Sequence, residues 1–271
     1  MIVTFNGVTI ECELAALSGL DMPGVRTGDE PRASAHGMIR GDWWHEGRTV
    51  VMEMVLEATD GPALATRVAE VTGAFVVTAD ERPLVWQLPG ESQRRILARC
   101  RRRAHVVDID YLAGVAHVAV EMASTDPRIY AAAASSASTT LATSGGGLTF
   151  PATAPFVFGS STSSSVMSCL NAGTFATPWT ATLTGPLVAP ELVLVGSGLR
   201  LSFPSASLAA GEQLMIDSAA HTVLLGGTAS RYGWLAQPAG WFDLAAGANS
   251  VQLLGASGAG GVSMSWRSAW T

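Results

Sequence analysis

Apolar and polar residues alternate along most of this chain, and a clear helical spacing of apolar residues occurs at one place. Residues 49–58 show the alternation well, because every second side chain is apolar while Glu53 and Glu57 fall on the opposite face. A period of two is typical of a strand with one buried face. That face is expected to carry four side chains: Val50, Met52, Met54 and Leu56.

Two hairpins are predicted around this strand. Asn6-Gly7 interrupts the opening strand and is a strong hairpin signal. A longer hairpin is predicted from strands over residues 94–107 and 115–122, with its turn at residues 111–114. Strands joined in this way favour an antiparallel sheet.

One helix is predicted between the hairpins. Asp60 is a suitable N-cap, and Pro62 lies in the first turn, where its missing N–H costs nothing. The helix is expected to end near Gly73 and to bury Leu64, Val68 and Val71. The first part of the chain therefore predicts a small β-barrel or strongly bent sheet with one helix across it.

Residues 149–271 consist of short apolar runs separated by turns, and no helix is predicted there. The glycine-containing stretches at 196–198 and 247–249 are examples of these turns. About nine strands follow from the pattern, which is typical of a β-sandwich or jelly roll. The whole chain is therefore expected to be mainly β.

The density of charge falls sharply in the middle of the chain. Residues 1–150 hold 13 arginines and 18 acidic residues, whereas residues 151–271 hold 3 and 4. Between the two parts, small polar residues bury too little apolar surface to offset the entropy of ordering. We therefore expect one domain over residues 1–130, a linker over 131–148 and a second domain over 149–271.

Composition excludes several classes of protein. No run of residues approaches the roughly 18 apolar positions of a membrane span, and the N-terminus carries acids where a signal peptide carries basic residues. The chain is therefore expected to fold in a cytoplasm. All 16 basic residues are arginine, which excludes Walker-A and Schiff-base lysines. A net charge of −6 disfavours sequence-independent binding of nucleic acid.

No catalytic or metal-binding motif is found. The patterns GxSxG and HExxH are both absent from the sequence. Asp108 and Asp110 stand at the mouth of a hairpin, which is typical of a solvated turn. The densest group of metal-ligand residue types has no ligand-pair spacing: His36, Asp42, His45 and Glu46. The three separated cysteines, Cys12, Cys100 and Cys169, are expected to be reduced core residues. The sequence predicts no enzyme, metal or cofactor.

The most charged feature is the arginine-rich strand over residues 94–107. Strict alternation places Arg99, Arg101 and Arg103 on one side of it. One interpretation is a basic patch that contacts an acidic partner or passing DNA. The favoured interpretation is cross-strand pairing, because acids lie on the outward faces of the neighbouring strands. These acids are Glu53, Glu57, Asp108 and Glu121.

A series of motifs occurs in order along the chain. They are GLDMPGVR at 19–26, DPRIY at 126–130, NAGTFATPWTATLTGP at 171–186, LAAGEQLMIDSAAHTVLL at 208–225, WFDLAAGANSVQLL at 241–254 and SMSWRSAW at 263–270. In type and order, these motifs resemble the distal tail protein family of long-tailed bacteriophages, the siphovirus tail components. The resemblance covers the whole chain.

This resemblance implies a structural virion protein at the distal tip of the tail, assembled in the host cytoplasm. The first domain would close into a ring, usually a homohexamer, that continues the tail tube around a lumen for DNA passage. The second domain would be a galectin-like β-sandwich that projects from the ring. The implied neighbours are the tail tube protein, the tape-measure protein, the central tail-tip protein and receptor-binding proteins.

Two sets of residues are candidates for the contacts of such a ring. The glycine-rich stretch over residues 17–48, predicted to be irregular, carries Trp43 and Trp44. The arginine-rich strand supplies the second set: Arg99, Arg101 and Arg103. We expect both sets to lie at subunit or tube interfaces.

A carbohydrate-binding module for host adsorption is the alternative. Exposed aromatic rings on a galectin-like fold can stack on sugars, and Trp234 and Trp241 are the candidate platform. The same indoles also suit a core, since they are rigid apolar bulk. The galectin set of His, Asn and Arg facing a Trp is not recognisable in this sequence.

Overall fold

The computed structural model describes residues 2–11, 13–142 and 165–271, without the side chains of residues 13–15. It contains two compact units. Unit 1 comprises Met1–Ala133 and Trp270–Thr271, and unit 2 comprises Ala134–Ala269. Unit 2 is therefore an insertion in unit 1, to which the chain returns at residue 270. No helix in the described part of the chain is long and apolar enough to span a membrane.

In the described residues before 134, unit 1 forms twelve strands and two helices. The strands are β1 (Ile2–Phe5), β2 (Val8–Glu11), β3 (Glu13–Ser18), β4 (Val25–Thr27), β5 (Glu30–Pro31), β6 (Met38–Ile39), β7 (Trp43–His45), β8 (Arg48–Glu57), β9 (Arg82–Gln87), β10 (Arg94–Val106), β11 (Val115–Ser124) and β12 (Ile129–Ala131). The helices are α1 (Gly61–Ala74) and α2 (Ile109–Leu112).

The main sheet of unit 1 is antiparallel and runs in the order β2-β1-β9-β10-β11-β8-β3. Its two end strands are nearly consecutive in the chain, since β2 ends at Glu11 and β3 begins at Glu13. The sheet must therefore bend until its ends approach each other. This confirms the predicted bent sheet with one helix across it.

Helix α1 closes the core of unit 1. Asp60 caps it by accepting a hydrogen bond from the Ala63 N–H at 2.8 Å. The helix buries Leu64, Val68 and Val71, as predicted, and it ends one residue after Gly73. Its core partners include the predicted inward face of β8: Val50, Met52, Met54 and Leu56.

Residues 17–48 are more regular than predicted. Strand β4 pairs with β7, and β5 pairs with β6, so that one two-stranded ladder rises from Gly24 and Glu46 to a turn at residues 32–37. We call residues 24–46 the arm. Its short strands escaped prediction because glycines and charges interrupt every apolar alternation.

Unit 2 contains the strands from β13 to β25 and one 3-10 turn, Tyr232–Trp234. The strands are β13 (Ser135–Thr140), β14 (Val166–Asn171), β15 (Trp179–Thr184), β16 (Leu187–Val188), β17 (Glu191–Leu194), β18 (Arg200–Ser202), β19 (Ser207–Leu208), β20 (Gln213–Asp217), β21 (Thr222–Leu225), β22 (Ala229–Ser230), β23 (Gly247–Leu254), β24 (Ser257–Gly258) and β25 (Gly261–Trp266). A last strand, β26 (Ala269–Trp270), ends the chain.

One core lies between the two larger sheets of unit 2. The six-stranded sheet has the order β13-β25-β15-β20-β21-β22, and the four-stranded sheet has the order β14-β23-β17-β18. Side chains from both sheets, such as Leu183 and Leu253, share a single buried cluster. This arrangement is the β-sandwich that the sequence predicts.

The linker predicted over residues 131–148 needs correction where the structure describes it. Ser135–Thr140 forms β13, which pairs along its whole length with β25. Leu141 then packs against the core of unit 2. A neighbouring strand supplies the hydrogen bonds that offset the ordering of these small polar residues. Residues 143–148 and the predicted start of the second domain at 149 lie outside the described residues.

The described cysteines are core residues, as predicted. Cys100 and Cys169 are both buried and free. Burial raises the pKa of the Cys169 thiol to about 11. Cys12 lies outside the described residues.

Candidate interaction surfaces

Arg48 fixes the base of the arm. Its side chain is only 3% exposed, although it carries a full charge. The guanidinium donates to the carbonyls of Gly19 and Asp21, where the chain enters the arm, and twice to that of Pro127, at 3.0 and 3.2 Å. Burial lowers the pKa of Arg48, and the nearby Asp21 carboxylate acts in the opposite direction. No pattern in the sequence separates Arg48 from the other arginines.

Glycine lets the two sides of the arm approach closely. A Cβ atom on Gly41 would lie 2.1 Å from the Gly28 carbonyl oxygen, so a larger residue cannot occupy this position. The Gly28 N–H donates to the Asp42 carbonyl at 2.8 Å. The Asp29 carboxylate accepts from the Gly41 N–H at 2.9 Å. The arm is therefore a defined element with its own hydrogen bonds.

The arm exposes the two tryptophans that the sequence analysis proposed as contacts. Trp43 is 50% exposed and Trp44 is 53% exposed. Their side chains point to opposite faces of the ladder, because successive residues of a strand alternate. Trp43 lies edge-on to the ring of His45, with ring centroids 5.3 Å apart, and Trp44 lies 5.9 Å from the Arg26 guanidinium.

A β-bulge divides the arginine-rich strand. In the register with β11, Cys100 faces Met122 and Arg102 faces Glu121, so that Arg101 is the extra residue. Strict alternation placed Arg103 beside Arg99 and Arg101, and this prediction is wrong. Beyond the bulge, Arg103 stands opposite the buried Val120 and points to the helix side of the sheet.

The three candidate arginines therefore have different surroundings. The Arg103 guanidinium donates to the Thr72 and Phe75 carbonyls at the end of α1. Arg101 remains exposed and lies 3.7 Å from Glu121, one of the cross-strand partners that the favoured interpretation expected. Arg99 is exposed and donates to the Ala79 carbonyl at 3.4 Å.

The turn of the long hairpin forms an apolar surface that sequence reasoning missed. We call residues 106–114 the hairpin tip. Asp108 caps α2 by accepting from the N–H groups of Asp110 and Tyr111, at 3.0 and 3.3 Å. This turn leaves four apolar side chains exposed: Val106, Val107, Ile109 and Leu112. Their occurrence in a turn, where polar residues are usual, was the available signal.

In unit 2, the two candidate platform tryptophans are partly buried against the core. The imidazole of His221 stacks on Trp241, with ring centroids 4.5 Å apart and an interplanar angle of 12°. The Arg231 guanidinium lies 5.4 Å from the ring centroid of Trp234. One face of the Trp241 indole is therefore covered by another side chain, and the Trp234 ring has an arginine beside it.

The groups considered as metal ligands have other contacts. Asp110 lies 3.7 Å from the His117 imidazole, and Asp108 caps α2. In residues 2–11, 13–142 and 165–271, no group of three or more His, Cys, Asp or Glu side chains is placed to hold a metal ion.

The motifs of the second domain serve the fold. Asn171 is fully buried and donates to the carbonyls of Phe175 and Leu244 at 2.7 and 3.1 Å. Its side-chain oxygen accepts from the N–H groups of Gly173 and Ala269. Asn249 is also buried, and it ties Cys169 to the turn at residues 245–247. These contacts explain the motif residues without a ligand.

Residues 172–270 match the family model of the siphovirus-type tail component, C-terminal domain. No curated protein sequence matches the chain. Solved structures resemble it in fold at low sequence identity.

One such structure is the SPP1 Dit (gp 19.1) protein, described as a paradigm of the hub adsorption apparatus in phages that infect Gram-positive bacteria. It is 11% identical, with a TM-score of 0.70 over 100% of this chain and 99% of that one. A chain of the phage P2 baseplate, activated with Ca, is 10% identical, with a TM-score of 0.51 over 93% and 89%. A chain of the phage p2 baseplate, activated with Sr, is 8% identical, with a TM-score of 0.51 over 97% and 96%.

These matches agree with the order of motifs and with the fold of both units. The match to a family model lies within residues 172–270. The similarity of fold to SPP1 Dit covers both units. Residues 172–270 thus match the C-terminal domain of the siphovirus-type tail component family, and over its full length the chain shares the fold of the SPP1 Dit protein.

Proposed function

We propose that this chain is a structural subunit of a ring at the distal end of a siphovirus tail. One observation carries the proposal: a tail-component domain over residues 172–270 occurs in a chain whose full length has the fold of SPP1 Dit. In the proposed ring, six copies of unit 1 surround a lumen through which DNA passes. The role is structural and needs no catalysis, metal or cofactor.

The ring would join the tail tube to the tail tip. Its neighbours would be the tube and tape-measure proteins on one side, and the central tip protein and receptor-binding proteins on the other. The protein would assemble in the host cytoplasm and remain in the virion at the distal tip. The fold likeness to chains of two baseplate structures supports a place in such an assembly.

Exposed side chains of unit 1 supply surfaces for these contacts. Trp43 and Trp44 on the arm, with Arg99 and Arg101 on the outer face of the sheet, remain the proposed subunit and tube contacts. Arg103 was proposed with them. Its guanidinium contacts the end of α1, so we propose that it contributes less to these interfaces than Arg99 and Arg101. Large exposed tryptophans are typical of protein interfaces.

The mass of the purified full chain tests the proposal. Light scattering after size-exclusion chromatography is expected to give six times the subunit mass of 28.1 kDa. Negative-stain micrographs are expected to show rings with a central opening. A single-subunit mass at every concentration would contradict the proposed function.

A further inference from the structure

Unit 1 carries two exposed apolar surfaces at opposite ends of one strand. Strand β8 runs from Arg48 to Glu57, and the arm joins it at Arg48. Glu57 pairs with Val115, the residue that directly follows the hairpin tip. A strand of this length spans about 30 Å, so the arm and the tip extend from well-separated ends of the sheet.

The hairpin tip is apolar with an acidic edge. Ile109 is 80% exposed and Leu112 is 85% exposed. This is unusual, because exposing an apolar side chain to water costs free energy. The carboxylates of Asp108 and Asp110 flank Ile109 in the sequence, and the described tip residues include no arginine. A partner for this tip therefore needs apolar area beside positive charge.

The arm offers that combination. Arg26 and Trp44 face each other in the β4–β7 register, which places a guanidinium and an exposed indole on the same face. The residues that lead into the Trp44 strand line a concavity: Arg40, Gly41, Asp42 and Trp43. The arm thus presents two large aromatic rings, each with an arginine near it.

We propose that the hairpin tip of one copy docks on the arm of the next copy. Ile109 and Leu112 would bury their side chains against Trp44. Asp108 and Asp110 would approach Arg26, which lies on the same face of the arm as Trp44. This inference rests on the proposed ring and identifies the two surfaces that close it.

The contact is heterologous, because it joins two different surfaces. Each copy has one arm and one tip, and the two lie at opposite ends of the sheet, so every copy binds one neighbour on each side. A head-to-tail contact of this kind closes into a ring when the rotation between neighbours permits. A contact of arm with arm would instead stop at a dimer.

Two full-length variants test the pairing. The tip variant carries Ile109→Asp and Leu112→Asp, and the arm variant carries Trp43→Asp and Trp44→Asp. Each variant alone is expected to be a monomer by light scattering, whereas the wild-type protein forms rings. An equimolar mixture is expected to give dimers and nothing larger, since one intact tip meets one intact arm. Leu170→Asp, at a 56% exposed position of unit 2, is the matched control and should form rings.

The other outcomes overturn the inference in distinguishable ways. Rings from either variant would refute this pairing and leave the proposed function in place. Variants that are monomeric both alone and mixed would show that the two surfaces contact something other than each other, such as a tube protein. A monomeric wild-type protein would refute the ring and the inference together.

A charge exchange covers the case in which the double variants misfold. Arg26→Asp and Asp110→Arg alone should each raise the concentration needed for assembly by about tenfold, because each leaves two like charges facing one another. The two changes in one chain should restore assembly to near the wild-type concentration. Additive loss in the combined variant would overturn the proposed contact.

Discussion

Arg48 is the residue on which the entry to the arm depends. It is a buried cation whose hydrogen bonds all go to backbone carbonyls: Gly19, Asp21 and Pro127. These carbonyls lie in two segments that are far apart in the sequence. A single side chain therefore holds the residues that lead into the arm against the segment that leads into β12. The charge strengthens these hydrogen bonds, which makes their loss costly.

Replacement of this arginine should destabilise unit 1. Arg48→Met keeps much of the apolar stem but leaves three carbonyls, in part-buried hydrogen bonds, without their donor. The free energy of unfolding should fall by about 3 kcal/mol, the size expected when a buried charged network is broken. Urea unfolding of the full chain measures this change.

An exposed arginine of the arm supplies the comparison for this prediction. Arg32→Met, which removes a charge from the exposed turn of the arm, should change the free energy of unfolding little. An equal loss of unfolding free energy in the two variants would show that the hydrogen bonds of Arg48 do not stabilise unit 1.

At the residue scale, the role of a side chain was predictable from the sequence when its partner lies nearby along the chain, and not when its partner lies far away. Asp60 was recognised as a helix cap because its partner, Ala63, lies three residues away. Arg48 and Asn171 escaped assignment because their partners lie up to 98 residues away along the chain. Composition and local spacing do not indicate contacts between residues so far apart in the sequence.

The β-bulge in β10 decides which arginines reach the outer face. Before the bulge, the strand follows the predicted alternation and buries Ile96, Ala98 and Cys100. After it, the faces exchange, since one extra residue shifts a period of two by one position. The consequence is a contact between Arg103 and the last turn of α1, where carbonyl oxygens lack partners within the helix.

The Arg103 contact predicts a separable effect on stability. Arg103→Ala should lower the free energy of unfolding by about 1 kcal/mol, because cations near a helix C-terminus bind its carbonyls and oppose its dipole. Arg102→Ala, next in the strand and on the opposite face, should have a smaller effect. Guanidinium unfolding curves of both variants make the comparison. If Arg102→Ala lowers the free energy of unfolding by as much as Arg103→Ala, the contact of Arg103 with the helix does not stabilise the protein.

At the element scale, regular periods were predictable and interruptions were not. Strand β8, helix α1 and the hairpin at Asn6-Gly7 all follow strong local patterns, and the structure confirms them. The arm was missed because glycines and charges interrupt its apolar alternation, and β13 was missed because its small polar residues show none. Strand β13 is stabilised by its pairing with β25, more than a hundred residues later. The two arm tryptophans were predicted as contact residues, whereas the exposed apolar residues of the hairpin tip were not.

The whole molecule is organised by an insertion. Unit 1 contains the last two described residues, and the Trp270 indole lies 3.4 Å from the Arg94 guanidinium, measured to the ring centroid. The first unit therefore depends on side chains from both ends of the chain. The sequence predicts residue 270 in the second domain, because composition changes only once along the chain and gives no sign of a return.

The stack of Arg94 on Trp270 should contribute measurably to unit 1. Trp270→Ala and Arg94→Ala are each expected to lower the unfolding free energy of the full chain. The double variant should show a coupling of about 1 kcal/mol, typical of a partly desolvated cation–π pair. A double-mutant cycle from urea unfolding measures the coupling. Strictly additive losses would show that the ring and the guanidinium act independently.

The return of the chain to unit 1 also sets an order in time. A ribosome delivers Arg94 long before Trp270, because all of unit 2 is synthesised between them. Until residue 270 emerges, the nascent unit 1 lacks the indole that covers Arg94 and has the lower stability of a Trp270 variant. Completion of the first unit thus waits for synthesis of the second.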